Sequence, residues 1–196
     1  MAGWAPPSSG PNSALQGLQL IRDRSRDASR NDWAGESTAQ KWTTHLIGIG
    51  ITPRFRRIKS KTRKLAIADL WNDFVQQADA DCVLNLYGLQ TLAVRTWIDG
   101  GECFIRRRNR FSDEGLPVPM QIQLLEGDMV PLLDAEPGWD PRMGQGNIIR
   151  SGIELNKRGK RVAYWFYINH PGDQASSLAS GNALVRVPAS EVAHKI

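Results

Sequence analysis

Cysteine and histidine are scarce: the chain's 196 residues include two cysteines and three histidines. Cys82 and Cys103 belong to no Cys-x-x-Cys pair, which argues against a disulfide framework and a zinc knuckle and favours synthesis in a reducing, intracellular setting. With apolar neighbours and no histidine nearby in sequence, both are expected to be buried structural thiols rather than nucleophiles. His45, His170 and His194 are widely separated and form no His-Glu-x-x-His spacing, so neither a metal nor any other cofactor is expected. Long apolar runs are missing too. The longest fall far short of the roughly 20 residues a bilayer requires, and Met1 to Gly10 has neither the basic nor the apolar region of a secretory signal. No Gly-x4-Gly-Lys-Ser/Thr loop occurs. Gly48-Ile49-Gly50 lacks the third glycine of a dinucleotide loop and follows a helical pattern, so it reads as a helix stop. There is no internal repeat.

What remains is a composition that folds. Hydrophobic residues make up 41% and charged residues 23%, which excludes disorder of the whole, and a chain of this size buries on the order of 70% of its unfolded surface. The net charge of +5 is concentrated in one place. Arg54, Arg56, Arg57, Lys59, Lys61, Arg63 and Lys64 fall within eleven residues that contain no acid; outside them the balance is 18 basic against 20 acidic. The protein is a near-neutral body carrying one basic strip.

Residues 1–12, with Pro6, Pro7 and Pro11 among Gly and Ser, read as a flexible arm. Leu15, Leu18 and Ile21 then suggest the apolar side of a first helix. Its other side, with Arg22, Arg26 and Arg30 interleaved by Asp23 and Asp27, is expected to be a solvated, self-compensated face. Asn31 caps an expected second helix with Ala34, Thr38, Trp42 and Leu46 along its stripe and Gly48 at its end. Around Pro53, Ile51, Phe55 and Ile58 suit a short edge strand or an extended connector. The spacing of Ile67, Leu70, Trp71, Phe74 and Ala78 predicts a helix over 62–78, and Leu89, Leu92, Ala93 and Trp97 a fourth over 89–98. Beyond Glu102 the texture is strand-like at 103–105, 121–125, 148–155 and 162–168, with loops over 131–147 and 169–182. Asn156 to Gly159 reads as a type I turn with Gly159 left-handed, joining two strands. Helices first and antiparallel strands afterwards predict an α+β fold, N-terminal helices packed on an antiparallel sheet or small open barrel.

The strip allows three readings: nucleic-acid contact, a solvated edge that resists aggregation, or a docking surface for an acidic partner. Arg106, Arg108 and Arg110 form a second basic cluster, sent to one face by strand alternation. Asp99 with Glu102 and Glu126 with Asp128 are the nearest acid pairs for a magnesium-dependent nuclease. Phe104 and Val130 occupy the positions where such a site would want a lysine, and Asp99, Gly100, Gly101 and Glu102 read better as a turn. Trp42, Trp71 and Trp97 align with helical stripes and are expected in the core rather than exposed for base stacking.

Taken in order, the segments resemble the N-terminal part of the lambda-type phage portal proteins. The resemblance runs through Leu15 to Gly48 with Arg30-Asn31, Trp71 to Phe74, and Asp99-Gly100-Gly101-Glu102-Cys103-Phe104-Ile105. It continues through Gln123 to Asp128, Ile149 to Asn156, Gly159, Ala163-Tyr164-Trp165 and Val187-Pro188-Ala189 before His194. It implies a non-enzymatic structural role in the wing of a ring-forming subunit, helical over 13–100 and β-rich over 101–196. In the family, typically dodecameric rings at a capsid vertex pass double-stranded DNA during packaging and ejection and make the head-tail connection. The implied partners are further copies of the chain, capsid or scaffold proteins, and that DNA; the implied location is the virion, after synthesis in the bacterial host cytoplasm. The family continues into stem and clip regions beyond the stretch matched here, and terminase docking, which resides mainly in the clip, is expected only where those are present. The alternative is a stand-alone DNA-binding module using the Arg54–Lys64 strip.

Overall fold

The computed structural model describes residues 17–172 and 183–196. The expected arm over 1–12, Leu15 and most of the 169–182 loop lie outside the described residues. Four helices, α1 (Leu18–Asn31), α2 (Trp33–Ile47), α3 (Lys61–Gln77) and α4 (Leu86–Gly100), precede seven strands among the described residues. The strands are β1 (Cys103–Asn109), β2 (Met120–Glu126), β3 (Ile148–Arg150), β4 (Ile153–Leu155), β5 (Arg161–Tyr167), β6 (Leu184–Pro188) and β7 (Val192–Lys195). They form two antiparallel sheets, of order β2-β1-β7 and β3-β4-β5-β6, with no closed barrel. The α+β expectation holds, with two sheets in place of one.

Local chemistry sets most of the boundaries. Ser60 caps α3 by accepting from the Arg63 N–H, and Asn85 caps α4 by accepting from Gly88. Gly101, at φ 82°, ends α4 in the left-handed conformation that favours glycine. The expected start of α2 shifts by one residue, because Asp32 rather than Asn31 accepts from the Ala34 N–H. Residues 51–60 contain no strand, so the connector reading of the basic strip stands and the edge-strand reading falls. The single strand expected over 148–155 is instead the β3–β4 hairpin, turned at Ser151 and Gly152 with φ of 48° and 73°. A Cβ at Gly152 would lie 2.5 Å from Val130 Cγ1 and 2.6 Å from the Pro131 carbonyl oxygen, so only glycine fits. Strands β6 and β7 lie where none was expected.

Three apolar clusters organise the interior. Phe74, Val75 and Ala78 of α3 meet Leu86 and Leu89 of α4 over the face of β2. Phe104 of β1 joins the two sheets, meeting Tyr164 and Phe166 of β5 edge-on at 5.6 and 5.4 Å between ring centroids. Such pairs contribute about 0.5–1.5 kcal/mol each beyond the area they bury. Trp165, between those two residues on β5, faces the opposite way and packs with Ile149 and Ala135 under the 131–147 loop. Strand β5 is therefore covered on both sides, which accounts for its unbroken apolar run.

The first two helices are turned the other way from the sequence expectation. Arg22 is buried and Arg26 is largely so, whereas Leu20, Ile21, Trp42 and Leu46 are exposed and Trp33 is 84% exposed. Arg22 and Arg26, expected on a solvated face of α1, pack inward while Asp23, Asp27 and Arg30 stay exposed as expected, and Trp42 leaves the core expected for it. Trp71 packs against the α3–α4 core as expected, and Trp97 lies beneath the Lys195 ammonium at 4.8 Å. Cys103 is buried as expected, but Cys82 is exposed.

Candidate interaction surface

Arg22 explains the inversion of α1. Its guanidinium reaches past the end of α4, where Nε donates to the Gly100 carbonyl at 3.2 Å, Nη1 donates to Asp128 Oδ1 at 3.3 Å and Nη2 pairs with Glu102 Oε1. One turn on, Arg26 Nη2 donates to Glu126 Oε2 at 2.9 Å and pairs with Asp128 Oδ2. The second oxygen of Glu102 meets His194 Nε2 at 2.8 Å, and the His194 ring stacks on Phe104 at 4.1 Å. Ser29 Oγ donates to Asp99 at 2.7 Å, and Arg95 Nε donates to the other oxygen of the same carboxylate at 2.7 Å. Arg95 extends to Glu36 as well, and the hydrogen bond from Arg95 holds the Glu36 carboxyl below its ordinary pKa. This ionic junction ties α1, α2, α4, β1, β2 and β7 together.

The junction settles the acid pairs. Glu102, Glu126 and Asp128 gather around Arg22 and Arg26, while Asp99 pairs with Arg95, so each of the four acids is held by an arginine. His170 lies beside Glu126 and Asp128, with ligand atoms within 4.8 Å of one another, and Arg26 sits on two of the three. Asp99 and Gly100 belong to the last turn of α4 rather than to the connecting turn expected there, and only Gly101 and Glu102 lie between α4 and β1. Gly159, at φ 74°, donates to the Asn156 carbonyl at 2.8 Å and closes the β4–β5 turn.

The two basic clusters differ in kind. Arg106, Arg108 and Arg110 share one face of β1 and its extension, as alternation predicts, but all three are half-buried and engaged. Arg106 approaches Glu191 at 3.8 Å, and its burial lowers its pKa. Arg108 Nη1 donates to Gln123 Oε1 at 3.1 Å, and Arg110 Nε donates to Gln121 Oε1 at 2.7 Å. By contrast, the side chains of Arg54, Arg56, Arg57, Lys59, Lys61, Arg63 and Lys64 are all exposed and meet no acid among the described residues. Their backbone runs as a strandless connector from 51 to 60, turning at Arg56 and Arg57, and then enters α3.

Sequence reasoning missed a second buried charge. The Glu154 carboxylate, fully buried on β4, accepts from Arg186 Nε at 2.7 Å, Asn147 Nδ2 at 2.6 Å, the Gly144 N–H at 3.0 Å and Trp165 Nε1 at 3.3 Å. Burial raises its pKa, but the bonds from Arg186, Asn147 and Gly144 outweigh that and the net direction is down. Arg142 covers the same spot, with its guanidinium 4.7 Å from the Trp165 ring and Nη1 donating to the Leu184 carbonyl at 2.8 Å. The only signal in the sequence was an acid in an otherwise apolar strand, Ile153-Glu154-Leu155.

Helices packed on the β2-β1-β7 sheet, a second antiparallel sheet beside it, arginines and acids paired inside and one unpaired basic run outside define an α+β module. The sequence matches the family described as "Phage portal protein, lambda family" over residues 1–196, and the chain belongs to that family. It is also similar to the probable portal protein of Halomonas phage phiHAP-1, with 26% identity over 184 residues, 89% of this chain and 33% of that protein. The chain thus spans about a third of the length of that relative.

Proposed function

We propose that this chain acts as the wing of a phage portal, the peripheral α+β part of a ring-forming subunit. The observation that carries the reading is the family match over all 196 residues. In full-length members of the family the ring stands at a capsid vertex, admits and releases double-stranded DNA and joins head to tail. The role is structural rather than catalytic, which agrees with acids held by arginines. The partners are neighbouring copies, typically in a dodecamer, and capsid or scaffold proteins; terminase contact belongs to the stem and clip. The place of action is the virion, after synthesis in the host cytoplasm, and no described helix is long and apolar enough to cross a membrane.

A cyclic ring sets one face of a subunit against a different face of the next. Support for one such face comes from the outward side of α1 and α2, where Leu20, Ile21, Trp42 and Leu46 stand exposed. Single exposed apolar residues are ordinary, but four on two adjoining helices, one of them a tryptophan, suit a contact surface. Light scattering at rising concentration, with cross-linking and electron microscopy, tests the reading. Rings or regular multimers joined through the α1–α2 surface support it, and a strict monomer with no cross-links between copies at high concentration removes this segment from ring contacts.

A further inference from the structure

Phe55, inside the basic strip, forms one wall of a groove. It projects from the connector between Arg54 and Arg56 and stands against Ile67, Leu70, Trp71 and Phe74 of α3, with Met120 of β2 in the floor. The groove encloses about 250 Å³ and its walls are almost wholly apolar. That is below the roughly 300–1,000 Å³ of a small-molecule site and suits one or two large side chains of another protein. Ile67 and Leu70 keep 38% and 43% of their surface exposed there, so the groove is open to a partner.

Charge and groove coincide. On a helix, residues three and four apart share a face, which places Arg63 and Lys64 one turn before Ile67 on the side that lines the groove. By the same geometry Asp69 and Asp73 project on the opposite side of α3. Arg54, Arg56 and Arg57 flank Phe55 on the other wall. The α3 cations also stand at the wrong end of their helix. The first turn of α3 contains Lys61, Arg63 and Lys64 and no acid, and cations at a helix N-terminus oppose its dipole. Neither the helix nor an internal ion pair accounts for their presence.

We propose that this groove docks an acidic amphipathic segment of a partner protein, its large aliphatic side chains entering between Phe55 and α3 while flanking Asp and Glu meet Arg54, Arg56, Arg57, Arg63 and Lys64. Charge complementarity sets the sign of the partner and the apolar floor sets its class. A duplex DNA backbone offers phosphates for the rim but nothing to fill the floor, and Trp71 is turned onto Phe74 at 5.8 Å rather than free to stack on a base. The proposal concerns the folded chain alone and does not require a ring.

Fluorescence anisotropy with a labelled synthetic helix-forming peptide, leucine at i, i+4 and i+7 and glutamate at most other positions, tests it. The expected result is saturable binding that weakens about tenfold or more in three cases. These are leucine replaced by serine in the peptide, Ile67→Ser with Leu70→Ser in the protein, and Arg56→Gln, Arg57→Gln, Arg63→Gln and Lys64→Gln combined. Phe55→Ser, which lies outside every helix and strand, provides an apolar variant that does not depend on α3 remaining folded. Three results overturn the proposal: no binding of the leucine peptide, equal binding of the leucine and serine peptides, or displacement of the peptide by a short DNA duplex whose own affinity is unchanged by Phe55→Ser. The last would assign the strip to phosphates.

Discussion

Arg22 and Glu102, eighty positions apart in the chain, form an ion pair in which the guanidinium is 4% exposed and which fixes the first helix to the start of the first strand. A buried pair of this kind is weak evidence of net stability, because desolvating both charges offsets their attraction. Removing one partner is different, since it strands the other. Here Glu102 and Asp128 would both lose Arg22, keeping only His194 and Arg26 respectively as ion-pair partners.

Arg22→Ala is therefore expected to lower the unfolding free energy by about 3–5 kcal/mol. The exposed neighbour Arg30→Ala, on the same helix, should change it by less than about 0.5 kcal/mol. Urea denaturation of the two variants checks this, and equal losses would mean that Arg22 is not the residue holding the junction.

Trp42→Ser separates the two views of α2. A core tryptophan would cost about 3–5 kcal/mol, whereas the exposed side chain found here should cost under about 1 kcal/mol. Phe74→Ala, from the buried side of α3, should show the full core penalty in the same thermal melts.

The Glu154 carboxyl titrates below its ordinary value of 4.5. A carboxylate with a depressed folded pKa contributes stability that is fully present above the unfolded pKa and is lost as pH falls through the folded one. Glu154→Gln should thus be most destabilising near neutrality, and its difference from wild type should shrink as pH drops below about 4.5. Unfolding free energies across that range report it, and a difference independent of pH would show that the carboxylate charge contributes nothing.

The two thiols should react at different rates. Burial pushes Cys103 up to about 11, whereas Cys82 is exposed, so a thiol reagent at neutral pH should modify Cys82 promptly and Cys103 only on unfolding. Two thiols reacting at one rate in the native protein would contradict the placement of Cys103.

Legibility in the sequence followed the range of the interactions. Helices α3 and α4, strands β1, β2 and β5, and the Asn156–Gly159 turn were readable because their caps, turns and periodicities lie within a few residues. The β3–β4 hairpin was hidden because its whole turn is Ser151-Gly152, too short to interrupt an apolar run. The faces of α1 were inverted because Asp23 and Asp27 offered the arginines local partners, while their true partners, Glu102, Glu126 and Asp128, come from the far end of α4 and the β2 region. The basic strip was plain in the sequence, but the groove beside it was not. Phe55 meets α3 only once the connector is folded back.

The account divides the basic residues into a set that holds the molecule together and a set left free for partners. Comparing the unfolding free energy of Arg22→Gln with that of the combined Arg56→Gln, Arg57→Gln, Arg63→Gln and Lys64→Gln variant measures this division directly. Arg22→Gln should lose about 3–5 kcal/mol, while the strip variant should be as stable as wild type or gain a few tenths to about 1 kcal/mol for each cation removed from the α3 N-terminus. A strip variant that loses as much as Arg22→Gln would contradict the account, because its charges would then belong to the fold.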